Sequence, residues 1–322
     1  MAAHFEIDDA MPKKKLAAWD EFDEVESDPS LNLKMSRMEC KHCKSSVSKS
    51  VNRLLSHLRS CPKYTGELPA PGDDEVDAAD EAKHDPLATV RRAIDHTLLK
   101  ADATPDEIAT LCKEAYEHNF CSVCVNSMYA SYARETLDGL ERHRKRQQPR
   151  VKVCCVVGFP LGASTSETKA FETDDCIRHG AEEIDMVIAV GKLKAGDHAY
   201  VLRDICAVVS VCKRNNVLSK VILETALLTE AEIETASKLA IAAGADFIKT
   251  STGFSTRGAS VVDVRLMASL AHPHGVQVKA SGGIRSLEDA EIMMEAGATR
   301  LGTSSGVKMI KGSPSAGAPS SY

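Results

Sequence analysis

Aromatic residues are scarce in this sequence, and long hydrophobic runs are missing. Phe, Trp and Tyr together make up 4% of the 322 residues, and there is a single Trp. A core rich in aromatic rings is therefore excluded, whereas the Val, Ile, Leu and Ala core of a (β/α)8 barrel is compatible with this composition. No apolar run approaches the ~18 residues that a membrane-spanning helix needs, so we expect no membrane partner.

A secretory signal is also missing, and the chain has no excess of positive charge. The formal net charge is -6, which argues against nucleic-acid binding along the whole chain. The first ten residues, MAAHFEIDDA, lack the apolar segment of a signal peptide. We therefore expect the 11 cysteines to be reduced thiols in the cytoplasm, with a nuclear location as the alternative.

Positive charge is concentrated in one short segment near the N-terminus. Residues 34–63 hold eight Lys or Arg against one acid, Glu39, which predicts a small separate module. The segment that follows is acidic, rich in Pro, Gly and Ala, and lacks an apolar face, as a flexible linker does. We divide the chain into a small module over 1–64, a linker over 65–86, a catalytic domain over 87–312 and a flexible tail over 313–322.

Short apolar runs alternate with helical patterns from residue 87 onward. The runs are rich in Val, Ile, Cys and Leu, as expected of strands buried on both faces. Eight strands alternating with helices predict parallel βα units that close into a (β/α)8 barrel. An open doubly wound sheet is the alternative, but its glycine-rich turn after the first strand is missing. The predicted strands lie within 93–99, 120–126, 151–159, 182–190, 220–225, 246–252, 276–282 and 299–305.

Two lysines lie inside apolar strands, where a charge is costly unless it has a role. Lys249 and Lys279 lie near the ends of the sixth and seventh strands, so we expect them to meet at the active face of the barrel. Repulsion and burial should lower the pKa of at least one amine, and a neutral lysine attacks carbonyl groups. Asp185 on the fourth strand is a candidate proton-transfer group, and a structural salt bridge with one lysine is the alternative. Other polar groups at predicted strand ends are Asp95, Cys124 and Glu224.

Glycine-rich loops follow the seventh and eighth predicted strands. They read SGGIR (281–285) and GTSSG (302–306). Loops at these two strands form the usual phosphate site of (β/α)8 barrels, because glycine lets backbone N–H groups approach an anion. Either loop alone fits a helix-capping turn, but both together predict a phosphate site.

Several long motifs resemble deoxyribose-phosphate aldolase, and they run from about residue 90 to residue 307. The resemblance implies a class I aldolase that interconverts 2-deoxyribose 5-phosphate with glyceraldehyde 3-phosphate and acetaldehyde, without a catalytic cofactor. We expect a phosphosugar as its small-molecule partner and a homo-oligomer as its state. The motifs are GFPLGASTSETKAFE, EEIDMVIAVG, LETALLT, FIKTSTGF, VKASGGIR and GTSSGV.

The resemblance also implies a role for individual residues. Lys249 would form the Schiff base, Lys279 would assist it as a cationic neighbour, and Asp185 would relay protons. Asp95 would orient the lysines, and Cys124 would line the pocket. The residues implied to hold the phosphate are Thr250, Gly253, Gly282, Gly283, Arg285, Ser304 and Ser305.

The C-terminus and three internal positions need separate comment. Members of this family often end in a tyrosine on a flexible tail that acts as a proton donor, which makes Tyr322 a catalytic candidate. Phe254 stands where some relatives have a phosphate-binding lysine, and Ala189 replaces a common Asn. Arg257 replaces a Gly, where it adds a phosphate contact or strains the turn.

The basic module carries the spacing of a zinc site. Cys40 and Cys43 are followed after thirteen residues by His57 and then by Cys61. The intervening segment 44–61 reads as a basic amphipathic helix, and the module is similar to a BED-type zinc finger, which binds DNA. Incidental thiols, and a protein partner instead of DNA, are the alternatives.

Two other functions are compatible with parts of the sequence. A DNA-binding regulator that uses the barrel as a phosphosugar sensor would need the phosphate loops but not both lysines and the aspartate. A zinc-dependent aldolase would need histidines at metal spacing, and the barrel's histidines form no such cluster at the predicted strand ends. The complete set of Lys249, Lys279 and Asp185 favours the Schiff-base enzyme.

Overall fold

The computed structural model describes residues 22–25, 37–44, 46–48, 58, 61–63, 87–142 and 149–311. The chain divides into two units, 1–84 and 85–322, each described by itself below. The predicted linker over 65–86 and the predicted tail over 313–322 lie outside the described residues.

The N-terminal unit contains a small antiparallel sheet. Its strands are β1 (Phe22–Val25), β2 (Arg37–Cys40) and β3 (Ser46–Ser48), in that spatial order. The helix predicted over 44–61 is therefore wrong at its beginning, where β3 pairs with β2. The Ser-Val-Ser alternation of β3 has the two-residue period of a strand, and the helical prediction overlooked it.

The second unit is a closed barrel of eight parallel strands, as predicted. Consecutive strands are neighbours around the ring, and the last strand pairs with the first through Leu301 and Ile94. The strands are β4 (Ile94–Leu98), β5 (Ser122–Val125), β6 (Lys152–Val157), β7 (Glu183–Val187), β8 (Leu218–Ile222), β9 (Phe247–Lys249), β10 (Gln277–Ser281) and β11 (Arg300–Thr303).

The strands are buried on both faces because helices cover the outside and packed side chains fill the inside. Every residue of β5, β7, β9 and β11 is buried. The fifth predicted strand, 220–225, ends earlier than expected, because Glu224 has left-handed backbone angles that stop the extended chain. Asp95, expected at a strand end, is instead the second residue of β4 and lies inside the barrel.

Helices surround the barrel, and several begin at the caps that the sequence provides. Thr104 and Thr229 each form a capping box with the glutamate three residues later. None of the described helices is long and apolar enough to cross a membrane. The helices are α1 (Ala88–Ala93), α2 (Pro105–Glu117), α3 (Ala130–Glu141), α4 (Ser166–Arg178), α5 (Val190–Lys194), α6 (His198–Arg214), α7 (Glu230–Ala243), α8 (Val261–Ala271), α9 (Leu287–Glu295) and α10 (Gly306–Lys311).

Candidate active site

The barrel interior contains a cluster of seven charged side chains, which we call the charge cluster. All seven are buried, and such charges persist in a protein interior only when they are paired. Four of them are cations and three are carboxylates, so the cluster carries one positive charge when every group is ionised. Its members are Asp95, Glu183, Asp185, Lys220, Lys249, Lys279 and Arg300.

Asp185 is the centre of the charge cluster. Its Oδ2 accepts hydrogen bonds from Lys249 Nζ at 2.7 Å and Lys279 Nζ at 2.8 Å. Its Oδ1 accepts one from Lys220 Nζ at 2.8 Å. Strand register explains the convergence, because Lys249 and Lys279 are paired residues of β9 and β10, while Asp185 and Lys220 are paired residues of β7 and β8.

A second layer of the charge cluster lies toward the start of the strands. Asp95 Oδ2 forms an ion pair with Lys279 Nζ at 2.5 Å, and Asp95 Oδ1 accepts a hydrogen bond from Arg300 at 2.8 Å. Glu183 accepts from Lys220 at 2.6 Å and from Arg300 at 2.9 Å. Lys220 and Lys279 contact carboxylates of both layers, so a change in charge at one carboxylate alters the electrostatic environment of both layers.

The carboxylates and lysines stabilise each other's charged forms. Burial by itself would raise the pKa of Asp185, but Lys220, Lys249 and Lys279 together hold that pKa well below its ordinary value. Burial by itself would lower the pKa of Lys279, but Asp185 and Asp95 raise it above the ordinary lysine value. The pKa of Lys279 thus rises, because the carboxylates outweigh the neighbouring lysines there, and Lys279 stays a cationic neighbour.

Lys249 differs from the other lysines of the cluster in its access to solvent. Its side chain is 3% accessible, whereas the side chains of Lys220 and Lys279 are 0% accessible. Lys249 is also the last residue of β9, at the carboxyl end of the strand. Strand register places Lys279 at the same level of the barrel, so the residual exposure of the Lys249 side chain is what distinguishes the two lysines.

Cys124 lies in the barrel interior beside the charge cluster. It is paired with Cys154 across β5 and β6, and both thiol sulfurs lie within 4.8 Å of an Asp185 oxygen. A hydrogen bond with Cys154 lowers the pKa of Cys124, Lys279 and Lys249 add to this effect, and burial opposes it. Cys154 Sγ also donates to Asp185 Oδ1 at 3.1 Å.

The proposed phosphate residues come together in part. Gly282 and Gly283 follow β10 with φ of 82° and 81°, angles that glycine adopts without strain. A Cβ on Gly282 would lie 2.9 Å from Gly258, so this turn also needs a small residue for space. Arg285 is half-buried, and its Nε has no hydrogen-bond partner among the described residues.

The remaining phosphate candidates differ in their environment. Thr250 is buried, and its hydroxyl is engaged with the backbone of Ser281. Gly253 lies on the loop after β9 with φ of 91°. Ser304 is exposed and Ser305 half-buried in the loop before α10.

The three positions that depart from the family pattern lie around this face. The Phe254 ring packs edge-on against Phe159, with ring centres 5.3 Å apart. The guanidinium of Arg257 binds Asp263 at 2.5 Å and the carbonyl oxygen of Thr225 at 3.1 Å, so it fastens its own loop. Ala189 is buried.

Lys220, Glu183 and Arg300 belong to the charge cluster but were not among the predicted site residues. A signal for Glu183 was available, because it lies two residues before Asp185 and therefore points to the same face of the strand. Lys220 is the middle residue of β8 and Arg300 is the first residue of β11, and a rule that selects carboxyl ends of strands does not find them.

The thiols of the N-terminal unit also converge. The sulfurs of Cys40, Cys43 and Cys61 lie within 4.8 Å of one another, and Cys40 and Cys61 are buried. Three thiols at this separation suit three corners of a tetrahedral zinc site. His57, the predicted fourth ligand, and Tyr322, the predicted tail donor, both lie outside the described residues.

Comparisons with known proteins agree with this geometry. Residues 89–312 match the DeoC/LacD family of aldolases. A deoxyribose-phosphate aldolase from a Geobacillus species is 54% identical over 223 residues, which cover 69% of this chain and 95% of the relative. Another, from an Exiguobacterium species, is 53% identical over 221 residues and covers the same two shares. The tetrameric deoxyribose phosphate aldolase of Aeropyrum pernix is 36% identical with a TM-score of 0.63, over 69% of this chain and 89% of that one.

Proposed function

The chain belongs to the DeoC/LacD family of aldolases, and from that premise we propose how its charge cluster acts on the substrate. The chain is a class I aldolase that reversibly cleaves 2-deoxy-D-ribose 5-phosphate to D-glyceraldehyde 3-phosphate and acetaldehyde. An enzyme of this class needs no cofactor, because the protonated Schiff base that a lysine forms with the substrate accepts the electrons of the breaking bond. The proposal concerns which residues take each step.

Lys249 is the amine that attacks the C1 aldehyde of the open-chain sugar. The observation that carries this assignment is the side-chain exposure of Lys249, which is 3% against 0% for Lys220 and Lys279, at an amine 2.7 Å from Asp185. Loss of one proton from the cluster leaves three cations facing three carboxylates, which is a balanced set. Lys279 keeps its proton, because its pKa is raised by Asp185 and Asp95 against the effect of burial.

The carbinolamine formed by this attack loses water to give the protonated Schiff base, and bond cleavage follows from it. The C3 hydroxyl gives up its proton, the C2–C3 bond breaks, and its electron pair moves toward the nitrogen of Lys249. Glyceraldehyde 3-phosphate leaves, the enamine carbon takes a proton, and water releases acetaldehyde. Asp185 relays these protons through water, since a carboxylate whose pKa is held low by Lys220, Lys249 and Lys279 passes a proton on without keeping it.

The neighbouring residues hold this arrangement in place. Asp95 fixes Lys279 through its 2.5 Å contact, and Cys124 forms the adjoining wall of the pocket. Tyr322 serves as an additional proton donor at the carbon that leaves as acetaldehyde. The family's recurrent C-terminal tyrosine supports this last role.

The 5-phosphate binds at the loops after β9, β10 and β11. Backbone N–H groups at Gly282 and Gly283 and the free Nε of Arg285 supply donors and positive charge. Thr250, Gly253, Ser304 and Ser305 border the same space. The reduced thiols of this chain suit a cytoplasmic setting for the reaction.

The N-terminal module is proposed to be a separate zinc-binding unit over 1–64, joined to the barrel by the linker over 65–86. Cys40, Cys43 and Cys61 hold the zinc, with His57 as the fourth ligand. Its basic stretch supports DNA as the partner, and a protein is the second choice. A purely regulatory role for the whole chain is less well supported, because a sensor has no need for the complete charge cluster.

A direct assay tests the proposed roles. The purified chain should release acetaldehyde from 2-deoxyribose 5-phosphate, and Lys249→Ala should lose all but a trace of this activity. Lys238→Ala is the matched control, since that exposed lysine forms a surface ion pair with Glu234 on α7. Full activity in Lys249→Ala would reject the assignment of the amine.

A further inference from the structure

Glu224 lies just after β8, next to the strand that carries Lys249, and the proposed mechanism does not use it. Its φ of 59° and ψ of 62° lie in the left-handed region, which is costly for a residue with a Cβ. Such a conformation persists only where the surroundings hold it, and it occurs preferentially at functional sites. The contacts of the Glu224 side chain must therefore offset the conformational free energy that these backbone angles cost.

One carboxylate oxygen of Glu224 holds the loop after Lys249. Oε2 accepts hydrogen bonds from the backbone N–H of Thr252 at 3.3 Å and from the Thr252 hydroxyl. The Thr252 hydroxyl oxygen in turn accepts from the backbone N–H of Phe254 at 3.0 Å. This oxygen thus fixes the segment between the reacting amine and Gly253 of the phosphate site.

The other oxygen, Oε1, has no such task. It is buried and has no hydrogen-bond partner among the described residues, and Glu224 as a whole is only 4% exposed. Burial raises the pKa of this carboxyl group, while Thr252, Lys249 and Arg257 oppose the rise. A clamp on the loop needs Oε2 alone, so a buried and unused Oε1 points to a donor that comes with the substrate.

The position of Glu224 selects the part of the substrate that it meets. Its carboxylate binds Thr252, three residues after Lys249 and next to Gly253, and it is close enough to Lys249 to interact with that charge. Lys249 takes C1 of the sugar, and Gly253 belongs to the proposed site for the phosphate on C5. The C3 hydroxyl is occupied by proton transfer in the mechanism above. The C4 hydroxyl is the remaining donor of the chain, and it becomes the C2 hydroxyl of glyceraldehyde 3-phosphate.

We propose that Glu224 Oε1 accepts a hydrogen bond from the C4 hydroxyl of the bound sugar and thereby selects hydroxylated acceptor aldehydes. The inference rests on the proposed Schiff base at Lys249. It makes Glu224 a substrate-binding residue as well as the support of the loop.

The test compares two acceptors in the synthetic direction, with acetaldehyde as the donor. D-Glyceraldehyde 3-phosphate carries the hydroxyl, and 3-oxopropyl phosphate is the same aldehyde without it. Glu224→Gln keeps an oxygen for Thr252 but replaces the charged acceptor by an amide. The preference for the hydroxylated acceptor, as a ratio of kcat/KM values, should fall about tenfold, since a hydrogen bond to a charged group is stronger than a neutral one.

Thr252→Val is the matched control. It breaks the clamp without changing Oε1, so it should lower kcat/KM for both acceptors together and leave their ratio unchanged. An unchanged ratio in Glu224→Gln, whether or not the rates fall, would overturn the proposal. Trapping of acetaldehyde on Lys249 with borohydride needs no acceptor, so a trapped adduct together with an unchanged ratio rejects only the role of Glu224.

Discussion

Three buried carboxylates control the stability of the folded barrel at low pH. The folded-state pKa values of Asp95, Glu183 and Asp185 are lowered by their cations, against the effect of burial. Their stabilising contribution is therefore present above the unfolded pKa values of about 4 and is lost as pH falls toward the folded values. The urea midpoint should stay level between about pH 7 and 5 and fall below about pH 4.

The acid response can be assigned with two variants. Asp95→Asn should flatten the fall below about pH 4, because one buried titrating group is gone. Asp174→Asn, on the exposed surface of α4, should leave the curve as in the parent. Identical acid curves for the parent and Asp95→Asn would show that the charge cluster does not control this response.

Lys279 is expected to contribute to both stability and turnover. Lys279→Met leaves two buried carboxylates, Asp95 and Asp185, short of a partner, and breaking a buried pair typically costs about 3–5 kcal/mol. Turnover should fall at least about tenfold because Asp185 loses a fixed donor. Urea unfolding and kcat measure the two effects. Lys238→Met, which removes an exposed contact worth under about 1 kcal/mol, is the control, and equal midpoints in both variants would contradict the account.

At the scale of elements, the sequence alone predicts the strands and the barrel well. Apolar runs between helical patterns mark strands buried on both faces, and all eight are present in the structure. The sequence predicts less of the barrel interior. Lys220 and Arg300 read as ordinary surface charges in the sequence, and only the closed barrel shows that they are buried. The left-handed angle at Glu224 was missed because it depends on contact with Thr252, 28 residues away. The strand at Ser46–Ser48 was missed because its short alternation lies within a segment that reads as an amphipathic helix.

The loop after β10 is the element that should set phosphate affinity. Arg285→Ala should raise KM for 2-deoxyribose 5-phosphate by about tenfold or more, since a charge-assisted bond to phosphate is lost. Kinetics with unphosphorylated deoxyribose, a poorer substrate, should change little. Arg178→Ala, on the exposed end of α4, serves as the control. A rise in KM of equal size for both sugars would place Arg285 outside the phosphate site.

At the scale of the whole molecule, zinc and catalysis should be separable. A unit as small as 1–64 buries too little surface to fold alone, so zinc should supply its folding free energy. Metal analysis should find about one zinc per chain, lost when Cys40 and Cys43 are both changed to Ser. A shortened chain that starts at Leu87 should keep its aldolase activity, also in the presence of EDTA. Activity that EDTA abolishes in that shortened chain would favour a metal-dependent aldolase instead.

The basic stretch of the module gives a further test of its partner. Binding to DNA should weaken steeply with salt, because it would depend on the Lys and Arg side chains between residues 34 and 63. The control is the shortened chain from Leu87, which should not be retained on DNA. Absence of DNA binding by the full chain at low salt would move the module to protein recognition and leave the aldolase assignment intact.

The proposed reaction depends on a Schiff base between Lys249 and the substrate, and borohydride trapping detects that Schiff base directly. Reduction of the enzyme in the presence of acetaldehyde should add one ethyl group per chain, and peptide mass mapping should find it on Lys249. The variant Lys249→Ala should gain no such group. An adduct found on Lys220 or Lys279 instead, or no adduct in an enzyme that turns over its substrate, would contradict the account.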